Sequence, residues 1–394
     1  MALSSPPVQI VSTLLVFSMV LAACGSSGGT AQNTEPPPSM AASTTATLAA
    51  STTTGEPVTT TNTLSTSTSV VGTLPAIGGR VTFQAGDFTL VGDLQAPDVA
   101  GPYPVVIMVH GGGGSDRTDW GRYPPLMERF MAAGYAVFSW DKPGVGESVG
   151  ELSTDADVIP ERAAILEAAI DHVTTQPGID ADRVGLWGIS QAAYVMTWAL
   201  QDTDAIAFMI MVGGPAMDSY DQGAYLVGQR AVCAGATVSE ARAIEETISA
   251  LDKALTYEEY AAAAEALVGD PYLTAMGLSL VTVPEDDWEP EDRTRPGFFN
   301  PASVLAHTTI PVLAIFGELD RQVDPVQGAA EIGSALEAAG NTHYRVEVIP
   351  NVDHDIVHSA TGCLSEQATY TPTERLGYPA EYLDLLEDWL TARA

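Results

Sequence analysis

The chain has 394 residues, of which 50 are acidic and 16 basic, for a formal net charge of −34. Nucleic acid is excluded as a partner, because phosphate binding needs clustered Lys and Arg. No metal-ligand spacing, phosphate loop or dinucleotide fingerprint is present, so no cofactor and no metal are expected.

Val8 to Ala23 is a continuous apolar run, short for a membrane span and suited to a signal-peptide core. It ends in Leu21-Ala22-Ala23-Cys24, which resembles the lipobox of bacterial lipoproteins. That resemblance implies a signal peptide over 1–23, lipid on Cys24 and an exported, cell-envelope protein touching the membrane through its lipid anchor only. The leading MALSSPPVQ carries no Lys or Arg. Residues 24–75 are Ser, Thr, Ala, Pro and Gly with almost no aromatic residue. Such a segment cannot bury enough apolar surface to offset its ordering entropy, so a disordered tether is expected.

From about residue 76 the chain reads as alternating strands and helices. Arg80–Phe83 and Phe88–Leu94 alternate around Ala85-Gly86-Asp87 and predict a hairpin. Val105–Val109 is apolar throughout, as a central strand covered on both faces should be. A helix over Met127–Ala133, a strand over Ala136–Trp140 and a helix over Pro160–Thr175 follow. The last places Ile165, Leu166, Ala169, Ile170 and Val173 inward and Glu161, Arg162, Glu167 and Asp171 elsewhere. Arg183 opens a short apolar run that stops at Gly188, and Ser190 stands between it and a helix reaching about Leu200. Ile206–Val212 is a further buried strand. This rhythm predicts an α/β fold with a mostly parallel central sheet covered by helices on both faces.

Residues 213–309 break the rhythm. Two capping boxes, Thr237/Glu240 and Thr256/Glu259, open helical runs, the first with Ile244, Ile248, Leu251 and Leu255 in one stripe. A mainly helical cap insertion is expected over the sheet's edge, with the acidic Pro284–Asp292 stretch a solvated loop. The core, begun over 76–212, resumes over 310–394. It continues with a strand at Val312–Phe316, a helix at Val326–Ala339, a strand at Tyr344–Ile349 and an amphipathic helix at Pro379–Thr391.

A serine hydroxyl becomes a nucleophile when a histidine takes its proton, and a carboxylate fixes that histidine's tautomer. Ser190, Asp320 and His354 supply these groups, each beyond the C-terminal end of a predicted strand, where open α/β sheets build their sites. Asp324 competes with Asp320 but sits where a helix N-cap belongs, and His358 is the rival of His354. Gly188-x-Ser190-x-Ala192 matches the nucleophile elbow except at its last position, where Gly is usual.

Together HGGGGSDR (His110–Arg117), SWDKPGVGES (Ser139–Ser148), GLWGISQAA (Gly185–Ala193), PVLAIFGELD (Pro311–Asp320) and NVDHD (Asn351–Asp355) resemble the α/β-hydrolase family over roughly 80–394. Within it the chain is similar to bacterial serine esterases related to dienelactone hydrolases and prolyl-peptidase catalytic domains. The resemblance implies a serine hydrolase cleaving small carboxylic esters, with nucleophile Ser190, base His354 and carboxylate Asp320. It also implies an oxyanion hole from the backbone N–H groups of Gly112 and Gln191. A peptidase or thioesterase would use the same machinery, and a non-catalytic binding lipoprotein is the reading that Ala192 favours. His110 is expected to pack or hydrogen-bond at its strand end, and Asp116, Arg117 and Asp141 to form a structural brace. An exported enzyme meets an oxidising space, so Cys233 and Cys363 are candidates for a disulfide tying cap to core.

Overall fold

A computed structural model describes residues 78–155 and 157–393, together with the backbone of Val8–Val11. Eight strands form the main sheet: β1 (Gly79–Ala85), β2 (Phe88–Gln95), β3 (Tyr103–Val109), β4 (Ala136–Trp140), β5 (Ile179–Ile189), β6 (Ile206–Val212), β7 (Val312–Gly317) and β8 (Tyr344–Ile349). Their spatial order is β8-β7-β6-β5-β3-β4-β2-β1. From β3 to β8 all pairings are parallel, whereas β2 runs antiparallel to β4 and closes a hairpin with β1. The inner parallel strands β3, β4, β6 and β7 and the second half of β5 are largely buried on both faces because helices cover both. Val105, Ile107 and Val109 pack with the helices Val158–Thr174, Ala192–Ala199 and Pro325–Ala338. Val106 and Met108 face the helices Pro124–Ala132 and Ala380–Thr391, where Trp187 donates to the Tyr382 hydroxyl at 3.1 Å.

Register decides where the site lies. Gly188 near the end of β5 pairs with Val109 of β3 on one side and Met211 of β6 on the other. The residues that follow these three strands therefore emerge side by side at one edge of the sheet.

Between β6 and β7 the helices Ser219–Cys233, Val238–Asp252, Tyr257–Leu267 and Pro271–Ala275 pack into an apolar cluster of their own, including Val227, Ile244, Ile248, Leu251 and Tyr260. Both capping boxes form as read from the sequence. Leu255 departs from its expected stripe: the helix ends at Asp252, and Leu255 beyond it is 63% exposed. The acidic stretch divides, with Glu285–Asp287 in an exposed turn while Trp288 packs against Tyr257 and Tyr260. Leu278–Val281 is a strand within this segment and pairs in parallel with Val8–Val11. The rest of the expected signal peptide, Cys24 and the tether lie outside the described residues. Among the described residues no helix is long and apolar enough to cross a membrane.

Candidate active site

Ser190 follows β5 directly and has φ of +58°. A residue with a Cβ avoids this region, at a cost of roughly 1–3 kcal/mol, unless its surroundings impose it. Here the Ser190 N–H donates to the Val212 carbonyl at 2.8 Å, and its own carbonyl accepts from Ala193 at 3.0 Å as the next helix begins. A Cβ added to Gly188 would come within 2.6 Å of the Ala192 methyl. Glycine at 188 thus makes the tight strand–helix crossing possible, and the buried Ala192 methyl fills the space it leaves. The elbow forms with alanine at its last position.

Asp320 lies beyond β7 and His354 beyond β8. His354 Nδ1 and Asp320 Oδ2 are 2.7 Å apart, and both side chains are buried. Asp320 Oδ1 accepts from the backbone N–H groups of Gln322 at 2.8 Å and Val323 at 2.9 Å, which fixes the carboxylate in its loop. A carboxylate partner assigns the proton to Nδ1 and leaves Nε2 as the ring's acceptor. Burial acts against a charged ring, but the charge and hydrogen bond of Asp320, with Asp355 and Asp353, outweigh it and hold His354 above the ordinary histidine value.

Gly213, the first residue after β6, joins the two halves. Its φ is +50°, and a Cβ there would lie 3.1 Å from His354 Nδ1 and 3.3 Å from Asp320 Oδ2. Ser190 is bonded to the carbonyl of Val212, the residue before Gly213, so the elbow and the His354–Asp320 pair both border the Val212–Gly213 stretch. Sequence reasoning passed over Gly213, although a Gly-Gly pair straight after an apolar strand was the available signal.

The loop carrying His354 is held from both sides. Asp353 accepts from the Asp355 and Val357 N–H groups, from Gln367 Nε2 at 3.0 Å and from the Tyr370 hydroxyl at 3.1 Å. Burial, and then the charge of Asp355, push its carboxyl up to about 6. Asp355 binds Arg122 at 2.7 Å; burial opposes its charge, but the guanidinium holds it below the usual carboxylate range. The rivals stand elsewhere. Asp324 caps the helix Pro325–Ala338 through Val326 and Gln327, and His358 is exposed in a bridge with Val352.

The glycine loop after β3 lies against the elbow: a Cβ on Gly111 would sit 3.3 Å from the Ile189 carbonyl and 3.6 Å from Ser190 Cβ. Gly112 is buried beside it. His110 anchors the loop as expected. Its Nε2 donates to the Trp140 carbonyl at 2.6 Å, so Nδ1 accepts from the Tyr123 hydroxyl at 2.9 Å. Burial, then the charge of Lys142, drive its pKa well below the ordinary histidine value, and the ring stays neutral.

Two buried cations were not singled out by sequence reasoning. Lys142 Nζ donates to the carbonyls of Gly111 and Gly113. Arg162 donates to the His110 carbonyl and to Gln191 Oε1. Its expected place off the apolar face of its helix is corrected, since Arg162 is buried under the elbow. The expected brace is present around Arg117, which bonds Asp141 at 2.6 Å and Asp93 at 2.9 Å, while Asp116 caps its own turn at Thr118 and Trp120. Cys233 and Cys363 form a disulfide, joining the end of the helix Ser219–Cys233 to the segment after the His354 loop. Tyr225 of the same helix donates to the Asp320 carbonyl at 3.2 Å. Among the described residues no group of three His, Cys, Asp or Glu side chains is arranged to hold a metal ion.

The model of the alpha/beta hydrolase family matches residues 106–362, more than half of the chain, and the chain belongs to that family of hydrolases. Its particular relatives are more distant. A quorum-quenching protein, AidA, of Acinetobacter baumannii is 32% identical over 123 residues, covering 31% of this chain and 39% of the relative. The hydrolase LUC6 of a Fusarium species is 30% identical over 148 residues, covering 36% of this chain and 34% of the relative. Both matches thus span well under half of the curated relatives' length. Among solved structures, the Pyrococcus furiosus esterase Pf2001 is similar over 80% of this chain and 92% of its own, at TM-score 0.47 and 18% identity. A proline iminopeptidase of Mycobacterium smegmatis is similar over 80% of this chain and 100% of its own, at TM-score 0.47 and 18% identity.

Proposed function

We propose that the protein is a serine hydrolase that cleaves small carboxylic esters through an acyl-enzyme on Ser190. The observation that carries this reading is the strained serine at the end of β5, one rim residue away from a buried His354–Asp320 pair 2.7 Å apart. With Nδ1 committed to Asp320, His354 Nε2 takes the proton of Ser190 as Oγ attacks the ester carbonyl carbon. The negative charge that develops on the carbonyl oxygen is met by the N–H groups of Gly112 and Gln191. Collapse expels the alcohol, which receives the proton from His354, and leaves the acyl group on Oγ. Water then attacks the acyl-enzyme with His354 again as base, releasing the acid and restoring Ser190. His354 held above its ordinary value by Asp320 is suited to accept that proton.

Hydrolysis of p-nitrophenyl esters by native protein and by Ser190→Ala tests the reading. Loss of turnover by roughly 10³-fold or more is expected, and equal hydrolysis by the two proteins removes the proposal. The helical segment between β6 and β7 meets the Asp320 loop through Tyr225, and supports its assignment as a cap that shapes the substrate pocket. The Leu21–Cys24 sequence supports export and lipid anchoring. Partition of native protein into a detergent phase, with Cys24→Ser remaining in the aqueous phase, is the expected result; identical partition overturns that part of the reading.

A further inference from the structure

We propose that Lys142 and Arg162 are positioning residues for the oxyanion-hole N–H groups, Lys142 by gripping the carbonyl end of the peptide unit that carries the Gly112 N–H and Arg162 by tying the His110 carbonyl to the Gln191 side chain. The inference rests on the serine-hydrolase reading and extends it to two residues outside the triad. In a trans peptide the carbonyl of one residue and the N–H of the next point in opposite directions within one plane. Lys142 Nζ holds the Gly111 carbonyl, so the Gly112 N–H must point away from the lysine. The same ammonium holds the Gly113 carbonyl and fixes the following unit. Arg162 holds the His110 carbonyl, which sets the plane carrying the Gly111 N–H.

Its other nitrogen grips the side chain of Gln191, the residue whose own N–H is the second expected donor. One buried guanidinium therefore links the two loops that must supply the oxyanion hole. Without a side chain, a glycine loop has little to choose one peptide orientation over its flip. Two buried cations on three consecutive or near-consecutive carbonyls make that choice. Hydrogen bonds in series also polarise one another, so a cation on each carbonyl strengthens the N–H at the opposite end of the unit. Burial keeps water from competing for either partner, as both side chains are less than a tenth exposed.

An oxyanion donor acts on the transition state more than on bound substrate, so its disorder lowers kcat and leaves KM nearly unchanged. Lys142→Met and Arg162→Met are each expected to lower kcat on p-nitrophenyl acetate by roughly 10²-fold per active site, with KM within threefold of native. Sites are counted by exhaustive titration with a fluorophosphonate, so a partly unfolded preparation does not imitate the effect. Lys142→Arg, which keeps the charge and the donors, is expected to recover most of the loss. Should Lys142→Met yield no titratable protein, Lys142→Gln, with a neutral donor end, is read by the same criterion. A kcat per titrated site within threefold of native for the neutral Lys142 and Arg162 variants overturns the proposal, as does a loss that falls on KM alone. Ser190→Ala run alongside separates the two claims: full activity there overturns the serine reading, whereas an inactive Ser190→Ala with unimpaired lysine and arginine variants overturns only the positioning roles.

Discussion

Replacing Gly213 by alanine adds one methyl group at the most crowded point of the rim. The new Cβ would stand 3.1 Å from His354 Nδ1 and 3.3 Å from Asp320 Oδ2, closer than ordinary Cβ contacts, which begin at 3.4 Å. Ring and carboxylate must therefore retreat by a few tenths of an ångström. Misplacement of a catalytic group by about 1 Å costs on the order of 10² in rate, so a displacement of this size is expected to lower kcat by roughly 10-fold with KM little changed. The φ of +50° adds about 1 kcal/mol of backbone strain once a Cβ is present. Strain alone is controlled by Gly269→Ala, at φ of +75° with nothing within 4 Å of the added Cβ. Steady-state kinetics and thermal unfolding of both variants decide the matter. Both lose stability to a similar small extent, and only Gly213→Ala loses kcat. Native kcat in Gly213→Ala would refute the reasoning that this glycine sets the base.

Removing the negative charge beside His354 changes both rate and pH dependence. Asp320→Asn is expected to lower kcat by about 10⁴-fold. Because Asp320 is the main group raising the histidine, with burial opposing it, the acid limb of the pH–rate profile is expected to move to lower pH. In the native protein that limb rises through a value above 6.5, and the stability the charged ring contributes is present below 6.5 and lost as pH rises through the same limb. The Cys233–Cys363 bond closes 130 residues of sequence. On the chain-entropy model, Cys233→Ser with Cys363→Ser removes roughly 5 kcal/mol, read as a lower urea midpoint; an unchanged midpoint contradicts the estimate. Burial, then the charge of Glu291, push Asp252 in the segment between β6 and β7 up to about 8, and its Oδ2 has no hydrogen-bond partner among the described residues. Its stability contribution is full below the ordinary carboxylate range and lost as pH rises through about 8. Asp252→Asn is expected to unfold at higher temperature than native at pH 8.5 and at the same temperature near pH 4; equal behaviour at both pH values counts against it.

The central strands were legible because burial on both faces leaves an unmistakable apolar run, whereas Tyr344–Ile349 at the sheet edge is only partly buried. Ala136–Trp140, Ile206–Val212 and Tyr344–Ile349 have the boundaries expected from sequence, and Ser190, Asp320 and His354 stand at strand ends as read. What the sequence concealed depends on contacts between distant segments. Gly213 matters because β6 ends beside two loops from much further along the chain. Arg162 looked like a surface charge because helical periodicity reports an apolar stripe and not which polar residue meets a buried carbonyl. Lys142 lay in a recognised turn, but its long side chain acts on carbonyls about 30 residues upstream. Leu255 shows the reverse error: its spacing continued the stripe, but the helix had already ended.

The central claim is that Ser190 forms the covalent intermediate. Peptide mapping by mass spectrometry after reaction with diisopropyl fluorophosphonate tests it most directly. One adduct is expected, on the peptide containing Ser190, with its formation matching the loss of ester turnover and with none in Ser190→Ala. Turnover abolished by an adduct on another residue, or turnover undiminished when Ser190 is fully modified, would contradict the account.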